Sequence, residues 1–498
     1  MFPPPSELPP DLFRVEEINH PQAICSSEFA SVVEEMPTSG IWRAESMAIV
    51  DREINAERGI GSVIPKASFE ALALAPWHDA GYRGQGLSIA VFDVEWFGLE
   101  WVEEELDTFQ THDCFAHSSC EPKLDSLHPR FGFEKGVHGI ACAEVIRDIA
   151  PEAELHLVKV LGLTSFENAV SWAIRNNIDI ISMSLSFFNE SFYDGTGPVN
   201  AQIDRLKEHD IVLVTSAGNY AKQHYLTQFQ DLDGDRFHDF DDPRGLPVYY
   251  TKGTKRIDLI WDQYDTCGQT DLNIYVWNRD RELVGKSTRL QNMEQENCHP
   301  SEKASIEIAE DEWYFVEIEL RSGAKEPRFD IMARGGNVWK GHPQGSIVDP
   351  ATHPSTLTVG AVRVDDYLDS FLEGFSSQGP TSNGLGKPDL VAPNGLSTLS
   401  YGPKDFFGTS ASTPVTAATL GVFRSGYPEL SNYEAVKQLK QYAIPDSEQF
   451  PFTFDKGHGR LRLPSPPNSE KERYCALNLF EIPFLVLVLY RKKRSTTS

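Results

Sequence analysis

The chain has 498 residues, which is longer than most single domains, so two or three folded units are expected. Its formal net charge of −28 argues against a nucleic-acid-binding protein, because phosphate binding depends on lysine and arginine. Seven cysteines are too few for a disulfide scaffold of this length, although individual pairs stay open.

The two ends of the chain lack clear signals for export or membrane insertion. Residues 1–14 are rich in proline and acidic residues, without the basic region and apolar run of a signal peptide. The apolar run at 484–489 is shorter than the ~20 residues of a membrane span, and Glu481 and Pro483 interrupt the segment around it. We therefore expect a docked or frayed terminal helix or strand rather than a membrane anchor in the C-terminal tail at 464–498. Residues 1–78 are expected to be a leader or an appended segment.

Residues 79–233 alternate between apolar runs and amphipathic stretches. The apolar runs are typical of buried parallel strands and lie at 87–92, 155–160, 178–185 and 211–219. Helical patterns lie at 137–149, 166–176 and 203–209. The alternation resumes over 346–463, with a strand at 357–362 and a helix near Ser410. This order predicts an α/β fold with one doubly wound, mostly parallel sheet formed by both parts.

A different pattern separates these two parts. Short segments of strand character, divided by turn residues, lie at 257–261, 272–277, 305–308, 313–320 and 328–333. They predict an antiparallel β-sandwich inserted at residues 234–345. Cys267 and Cys298 both fall within this insert and could form a disulfide.

An acidic loop precedes the predicted insert. Asp231, Asp233 and Asp235 alternate along it, and alternating carboxylates can converge on calcium. An acidic, solvated linker would have the same composition. The loop begins like an EF-hand loop, but Arg236 occupies the usual glycine position and no glutamate closes it. Structural calcium is thus a candidate, and no cofactor is expected to be required for chemistry.

Two cysteines and two histidines lie close together after the first predicted strand. They are Cys114, Cys120, His112 and His117. Their spacing is compatible with a zinc site, with a disulfide that closes a loop, or with two separate thiols.

Residues 407–414, Phe-Gly-Thr-Ser-Ala-Ser-Thr-Pro, predict a glycine turn that places Ser410 in the first turn of a helix. Backbone N–H groups in that turn lack intrahelical partners, so a hydroxyl there can act as a nucleophile beside oxyanion donors. An N-cap serine is the alternative interpretation.

Three further polar residues lie at strand ends or helix starts of the same predicted sheet. Asp93 ends a strand, His138 begins a helix, and Asn219 follows a strand. In a doubly wound sheet such positions share one edge. We therefore expect Ser410 to attack a carbonyl, His138 to take its proton, Asp93 to orient the imidazole and Asn219 to bind the oxyanion.

Seven short blocks in this order resemble the subtilisin-like serine proteases, or subtilases. They are residues 89–93, 137–139, 182–185, 216–219, 375–380, 387–393 and 408–414. The resemblance implies the triad Asp93, His138 and Ser410, with Asn219 as oxyanion donor. It also implies a protein or peptide substrate that pairs as an added strand with Ser184, Leu185 and Ser186, and it favours a secreted or extracellular protein.

The chain departs from the usual subtilase pattern beside these residues. Val94-Glu95 follows Asp93, Ile140-Ala141 follows the His138-Gly139 pair, and Ser186 replaces a usual glycine beside the specificity pocket. The main prediction is a serine endopeptidase that uses an acyl-enzyme. The alternative is a catalytically weak or inactive subtilase scaffold whose β-sandwich binds a protein or surface partner.

Overall fold

The structure is a computed structural model that describes residues 40–43, 66–115, 119–122, 124, 136–264, 268–291, 299–323, 326–365, 367–369 and 371–467. The suggested pairing of Cys267 with Cys298, the position of His117, and most of the predicted leader and C-terminal tail lie outside these residues. In the described part, no helix is both long enough and apolar enough to span a membrane.

The described residues form eight α-helices and twenty strands. The helices are α1 Lys66–Ala71, α2 Leu74–Asp79, α3 Glu103–Leu106, α4 His138–Ile149, α5 Leu163–Arg175, α6 Gly197–Glu208, α7 Thr409–Gly426 and α8 Asn432–Tyr442, with a 3-10 turn at Leu99–Trp101. The strands are β1 Gly40–Arg43, β2 Ser88–Asp93, β3 Phe109–Asp113, β4 Glu154–Lys159, β5 Ile180–Met183, β6 Leu185–Phe188, β7 Val212–Ser216, β8 His224–Gln228, β9 Leu246–Tyr250, β10 Gly253–Trp261, β11 Asp271–Trp277, β12 Leu283–Ser287, β13 Ser301–Ile308, β14 Glu312–Ser322, β15 Arg328–Arg334, β16 Gly336–Val338, β17 Leu357–Arg363, β18 Leu390–Asn394, β19 Leu396–Thr398 and β20 Gly402–Phe406.

A seven-stranded sheet in the order β18-β17-β7-β5-β2-β4-β3 forms the centre of the fold. All its neighbouring strands are parallel. Alternate residues of β2 enter two cores: Ile89 and Val91 pack with helices α4, α7 and α8, whereas Ala90 and Phe92 pack with α5 and α6. Helices therefore cover both faces, which confirms the predicted doubly wound parallel sheet.

The apolar run at 178–185 was predicted as one strand but forms two. Strand β5 stays in the central sheet, and β6 leaves it after Ser184. Strand β6 pairs instead with β1 in an antiparallel register that places Trp42 opposite Ser186 and Arg43 opposite Leu185. Continuous hydrophobicity does not mark such a change of partner, because both strands are buried.

Two antiparallel sheets are formed by residues 224–338, which lie between the two segments of the chain that build the parallel sheet. Their orders are β13-β10-β15-β8 and β12-β11-β14-β9-β16. One core joins them, with Leu259 of β10 and Phe329 of β15 from one sheet and Ile274 of β11 and Ile318 of β14 from the other. The five predicted strands are present, together with four that the sequence pattern did not reveal. Strand β8 begins before residue 234, so these sheets include residues upstream of the predicted insert.

A buried junction connects the antiparallel sheets to the end of β6. Its apolar part contains Phe188, Tyr220 and Met332. Its polar part centres on Asp258, whose carboxylate accepts a hydrogen bond from Asn189 Nδ2 at 3.2 Å and forms an ion pair with Arg334 Nε at 2.7 Å. The Arg334 guanidinium also lies 4.7 Å from the ring centre of Phe188. The end of strand β6 is thus packed directly against the antiparallel sheets.

Candidate active site

Asp93 and His138 form the centre of the candidate site. Asp93 is the last residue of β2, His138 is the first residue of α4, and both are almost completely buried. His138 Nδ1 lies 2.6 Å from Asp93 Oδ2. The other carboxylate oxygen accepts the backbone N–H groups of Val94 and Glu95 at 2.8 and 3.1 Å. This fixed carboxylate favours the tautomer that carries its proton on Nδ1 and a lone pair on Nε2.

A close approach between β2 and α4 positions this pair. A Cβ atom on Gly139 would lie 2.7 Å from Glu95 O and 2.8 Å from Asp93 Cβ, so only glycine fits there. The Gly139 N–H instead donates to Glu95 O at 3.0 Å. The Glu95 carboxylate also accepts from the His138 N–H at 3.4 Å. From the sequence, Glu95 is only a departure from the family pattern, because the helix start that it faces lies 43 residues further along the chain.

Ser410 is the second residue of α7, which begins after Gly408 at φ +102°. Pro414 lies four residues further on and has no N–H, so it cannot donate to the Ser410 carbonyl as a normal helical residue would. Ser184 Oγ donates to this carbonyl at 3.0 Å, and Cys142 Sγ lies 3.9 Å from it. Ser184, predicted to bind substrate, therefore also supports the helical turn that contains Ser410.

Asn219 lies beside the start of α7, and Thr409 fixes its orientation. The Oδ1 atom of Asn219 accepts from both the backbone N–H and the hydroxyl of Thr409, each at 3.0 Å. The Nδ2 end lies next to Gly408, because a Cβ on that glycine would be 2.9 Å from it. Thr409 belongs to a recognised block, but its role in orienting the amide was not predicted.

Ser410 and His138 are both buried near Cys142. Donor atoms of Asp93, His138 and Cys142 all lie within 4.8 Å of one another. Among the described residues, His138 Nε2 and Ser410 Oγ have no hydrogen-bond partner. The serine–imidazole hydrogen bond is therefore not formed here, as is common in enzymes without substrate, where such bonds tighten on binding.

The hairpin of β19 and β20 covers one side of the imidazole. Phe406 contacts the His138 ring edge-on, with ring centres 5.8 Å apart. Glu144, on the same helix as His138, holds this hairpin by accepting the Leu399 N–H at 2.5 Å. Burial, followed by the charge of Glu105, raises the pKa of the Glu144 carboxyl well above its ordinary value.

The predicted substrate-binding residues line one strand edge. Ser184, Leu185 and Ser186 are all buried. Residues 185 and 186 belong to β6, whose antiparallel partner is β1 of the same chain. An extended segment thus already occupies the edge on which substrate was expected.

The aspartate loop, residues 231–235, is exposed, in contrast to the buried Asp93–His138 pair. Ligand oxygens of Asp231, Asp233 and Asp235 lie within 4.8 Å of one another. Each carboxylate also accepts a backbone N–H of the same loop, such as that of Gly234 onto Asp231 at 2.7 Å. The carboxylates converge as calcium binding requires, but they also close their own loop.

A disulfide joins Cys114 and Cys120, which were predicted to be a disulfide, a zinc site or two thiols. The zinc interpretation of this pair is wrong, because neither sulfur remains available as a thiolate. His112 is buried against Trp172, with ring centres 4.3 Å apart. Burial, followed by the charge of His156, lowers the pKa of His112 to about 4.

Similarity to known proteins identifies the family of this chain. The model of the Subtilase family matches residues 118–256 and 298–459, more than half of the chain. The chain belongs to the subtilase family. The matched ranges contain His138, Asn219 and Ser410, whereas Asp93 lies upstream of them and is brought to His138 by the fold.

Two curated proteins illustrate the similarity of this subtilase to its relatives. It is 28% identical to Subtilisin E of Bacillus subtilis over 154 residues, which are 28% of this chain and 36% of the relative. It is 30% identical to a thermostable alkaline protease of Halalkalibacterium halodurans over 182 residues, or 34% of this chain and 46% of the relative. The matched part thus spans less than half the length of either relative.

A solved structure resembles a larger part of the subtilase. The CspB protease of Clostridium perfringens superposes with a TM-score of 0.57 at 15% identity, over 80% of this chain and 98% of that chain. At this identity the likeness supports the fold alone. It agrees with the parallel sheet and helices described above.

Proposed function

We propose that this subtilase is a serine endopeptidase that hydrolyses protein or peptide chains through an acyl-enzyme. The observation that carries the proposal is the buried Asp93–His138 pair, joined at 2.6 Å and packed beside the helix start that holds Ser410. The family match supports the same reaction.

Each side chain has a defined part in the proposed mechanism. Ser410 Oγ attacks the substrate carbonyl while His138 Nε2 takes its proton, and Asp93 stabilises the resulting imidazolium. Asn219 Nδ2 and the Ser410 N–H donate to the oxyanion. The imidazolium then protonates the leaving amine, and water, deprotonated by His138, releases the acyl group.

The pairing of β1 with β6 supports an extended peptide as substrate. Residues 40–43 show that β6 has an edge able to hold a chain in antiparallel register. Backbone pairing of this kind accepts many sequences, and side-chain pockets then set preference. A peptide substrate that binds here must take the place of β1.

A fluorophosphonate probe followed by peptide mapping tests the proposal. The probe reacts with a serine only when a base activates the hydroxyl, so we expect one labelled residue, Ser410, and strongly reduced labelling in His138→Ala. The Ser410→Ala variant should show none at this position. Labelling of Ser410 that is unchanged in His138→Ala, or no labelling of the folded wild type, would contradict the proposal and favour an inactive binding scaffold.

We propose the domain organisation predicted above, with 79–233 and 346–463 as one catalytic unit and 234–345 as an insert, whose sheets also take in strand β8 from the first segment. Pairing of β17 with β7 supports the first part, because it joins the two catalytic segments in one sheet. The junction around Asp258 indicates that the insert supports β6 rather than hanging free.

We propose structural calcium at Asp231, Asp233 and Asp235, which the convergence of their oxygens supports. Subtilases need no cofactor for catalysis, so the ion would act on stability. Millimolar calcium should raise the Tm of the wild type and not that of an Asp231→Asn/Asp233→Asn variant. An equal shift in both proteins, or none in the wild type, would exclude this site.

We propose that the protein is secreted or extracellular, which the Cys114–Cys120 disulfide supports, because such bonds persist in oxidising compartments. Thiol alkylation of protein from the native source, with and without reduction, tests this. Peptides with Cys114 and Cys120 alkylated before reduction would contradict it.

A further inference from the structure

The backbone on both sides of Asn219 is fixed by hydrogen bonds to the second segment of the parallel-sheet unit. The Gly218 N–H donates to Thr409 Oγ1 at 3.2 Å, and the Tyr220 N–H donates to Ser377 Oγ at 3.0 Å. The carbonyl group of Asn219 has a partner of a different origin. It is linked to the antiparallel sheets.

Gln223 makes this link with its side-chain amide. Its Nε2 atom donates to Asn219 O at 3.1 Å, and its Oε1 atom accepts the Gly335 N–H at 2.9 Å. A backbone N–H group can only donate, so the contact with Gly335 identifies the oxygen end of the amide and leaves the NH₂ end for Asn219. Gln223 is buried. Both hydrogen bonds are therefore made away from water.

Backbone hydrogen bonds hold Gln223 and its neighbour against the same turn of the antiparallel sheets. The Ala333 N–H donates to Gln223 O at 2.8 Å, and the Val338 N–H donates to Lys222 O at 2.8 Å. Gly335 lies between these two donors in the chain, after β15 and before β16. The side-chain bridge thus ends on backbone that is itself fixed.

A second contact from the same strand end reaches the residue after Asn219. The Arg334 guanidinium lies 4.7 Å from the ring centre of Phe188, and the Phe188 ring lies 5.3 Å from that of Tyr220. Both aromatic residues are buried. The end of β15 therefore restrains the segment around Asn219 through Gln223 and through Tyr220.

We propose that Gln223 is a positioning residue for the oxyanion donor, through which the antiparallel sheets hold Asn219 in place. Thr409 fixes the orientation of the Asn219 amide, whereas Gln223 fixes the backbone from which that amide extends. Displacement of a donor weakens catalysis, because transition-state stabilisation depends on donors that are in place before the reaction. The effect on rate rests on the proposed peptidase function, whereas the restraint on the segment does not.

Hydrogen exchange measured by mass spectrometry on the full chain tests the restraint. Methionine has the length of glutamine but no N–H group, so Gln223→Met leaves both partners of the amide unpaired. We expect faster exchange over residues 216–223 than in the wild type. Gln291→Met is the matched control, because Gln291 is also buried and donates to the carbonyl of Ser301 in β13 at 3.1 Å. Exchange over 216–223 that is unchanged in Gln223→Met, or raised equally in the control, would overturn the proposal.

Steady-state kinetics of peptide hydrolysis test the consequence for the reaction. Gln223→Met should lower kcat by about tenfold with little change in KM, and Gln291→Met should keep the wild-type kcat. In the Asn219→Ala background, Gln223→Met should cause little further loss, because the amide through which it acts is already absent. Losses that multiply in the double variant, or an effect confined to KM, would contradict the positioning role.

Gln223→Glu replaces the methionine variant if that variant does not fold. At alkaline pH its ionised carboxylate can accept the Gly335 N–H but cannot donate to Asn219, so a similar loss in kcat is expected. Failure of both variants to fold would overturn the proposal, because it would assign Gln223 to stability alone. A folded wild type without peptidase activity would refute the proposed function instead, and hydrogen exchange would still decide whether Gln223 restrains the segment.

Discussion

Side chains near Ser410 are held in fixed orientations by hydrogen bonds to neighbouring residues. Asn219 is an example, because Thr409 engages its Oδ1 atom twice and leaves the amide end directed toward the turn at Gly408. Preorganised donors of this kind stabilise charge that develops in the transition state more than they stabilise bound substrate. The effect of Asn219 should therefore appear in the chemical step.

Asn219→Ala is expected to lower kcat by about 10²–10³-fold with little change in KM, the cost that losing one oxyanion donor has in subtilisin. Steady-state kinetics on a small peptide measures this. Asn273→Ala is a matched control, because Asn273 is also a buried asparagine and bonds Glu319 in the antiparallel sheets. A change confined to KM would remove Asn219 from the oxyanion role.

The proposed site residues could be assigned to one sheet edge from the sequence because each ends a strand or begins a helix of that sheet. The residues that position them, Glu95 and Thr409, could not be identified from the sequence. The contact of Glu95 with His138 depends on the close approach at Gly139, and Thr409 meets Asn219 only because α7 begins beside β7. Cys142 has a readable spacing from His138, but a small residue inside a helix is more often simply part of a core.

At the scale of elements, the central strands were predictable because burial on both faces makes them continuous apolar runs. Strands β2 and β7 follow this rule. Strand β1 and the β19–β20 hairpin do not, since they are short and lie outside the central sheet. The partner of β1 lies more than a hundred residues away, and no local pattern encodes that pairing.

Trp42→Pro should weaken the pairing of β1 with β6, because proline lacks the N–H group that a strand donates. If β1 occupies the substrate edge, KM for a short peptide should fall severalfold in this variant with kcat nearly unchanged. Glu35→Pro provides a proline control outside β1. An unchanged KM, or the same decrease in the control, would show that β1 does not compete with substrate.

At the scale of the whole molecule, buried acids give the fold a characteristic dependence on pH. Burial, assisted by the charge of Asp349, raises the pKa of Glu190 to about 8. Burial also raises the pKa of Glu302 to about 7 and that of Asp349 to about 6. Glu190 and Asp349 lie near the junction, whereas Glu302 lies in strand β13 of the antiparallel sheets. The pH dependence of stability therefore arises in more than one part of the fold.

The Tm should fall as pH rises from about 6.5 to about 8. At lower pH the buried histidines oppose this trend, because a side chain such as His112, whose pKa is lowered to about 4, stays neutral in the folded chain while the unfolded chain binds a proton there. Between about pH 6.5 and about pH 8 the folded chain holds protons on these acids that the unfolded chain, with ordinary pKa values, has lost, so stability decreases with pH. Thermal unfolding at several pH values measures it, and Glu190→Gln should flatten the slope near its upper end. Above about pH 8, Lys303, whose pKa burial lowers to about 8, should oppose the trend. A Tm that rises steadily over pH 6.5–8, or equal slopes in both proteins, would contradict these assignments.

The most direct measurement of the central claim is the peptide hydrolysis rate of wild type, His138→Ala, Ser410→Ala and the double variant, each shown to be folded. If the two side chains act as one unit, each single variant should lose several orders of magnitude in kcat, and the double variant should lose little more than either. Losses that multiply in the double variant, or a His138→Ala enzyme that retains the wild-type rate, would show that these residues do not work together.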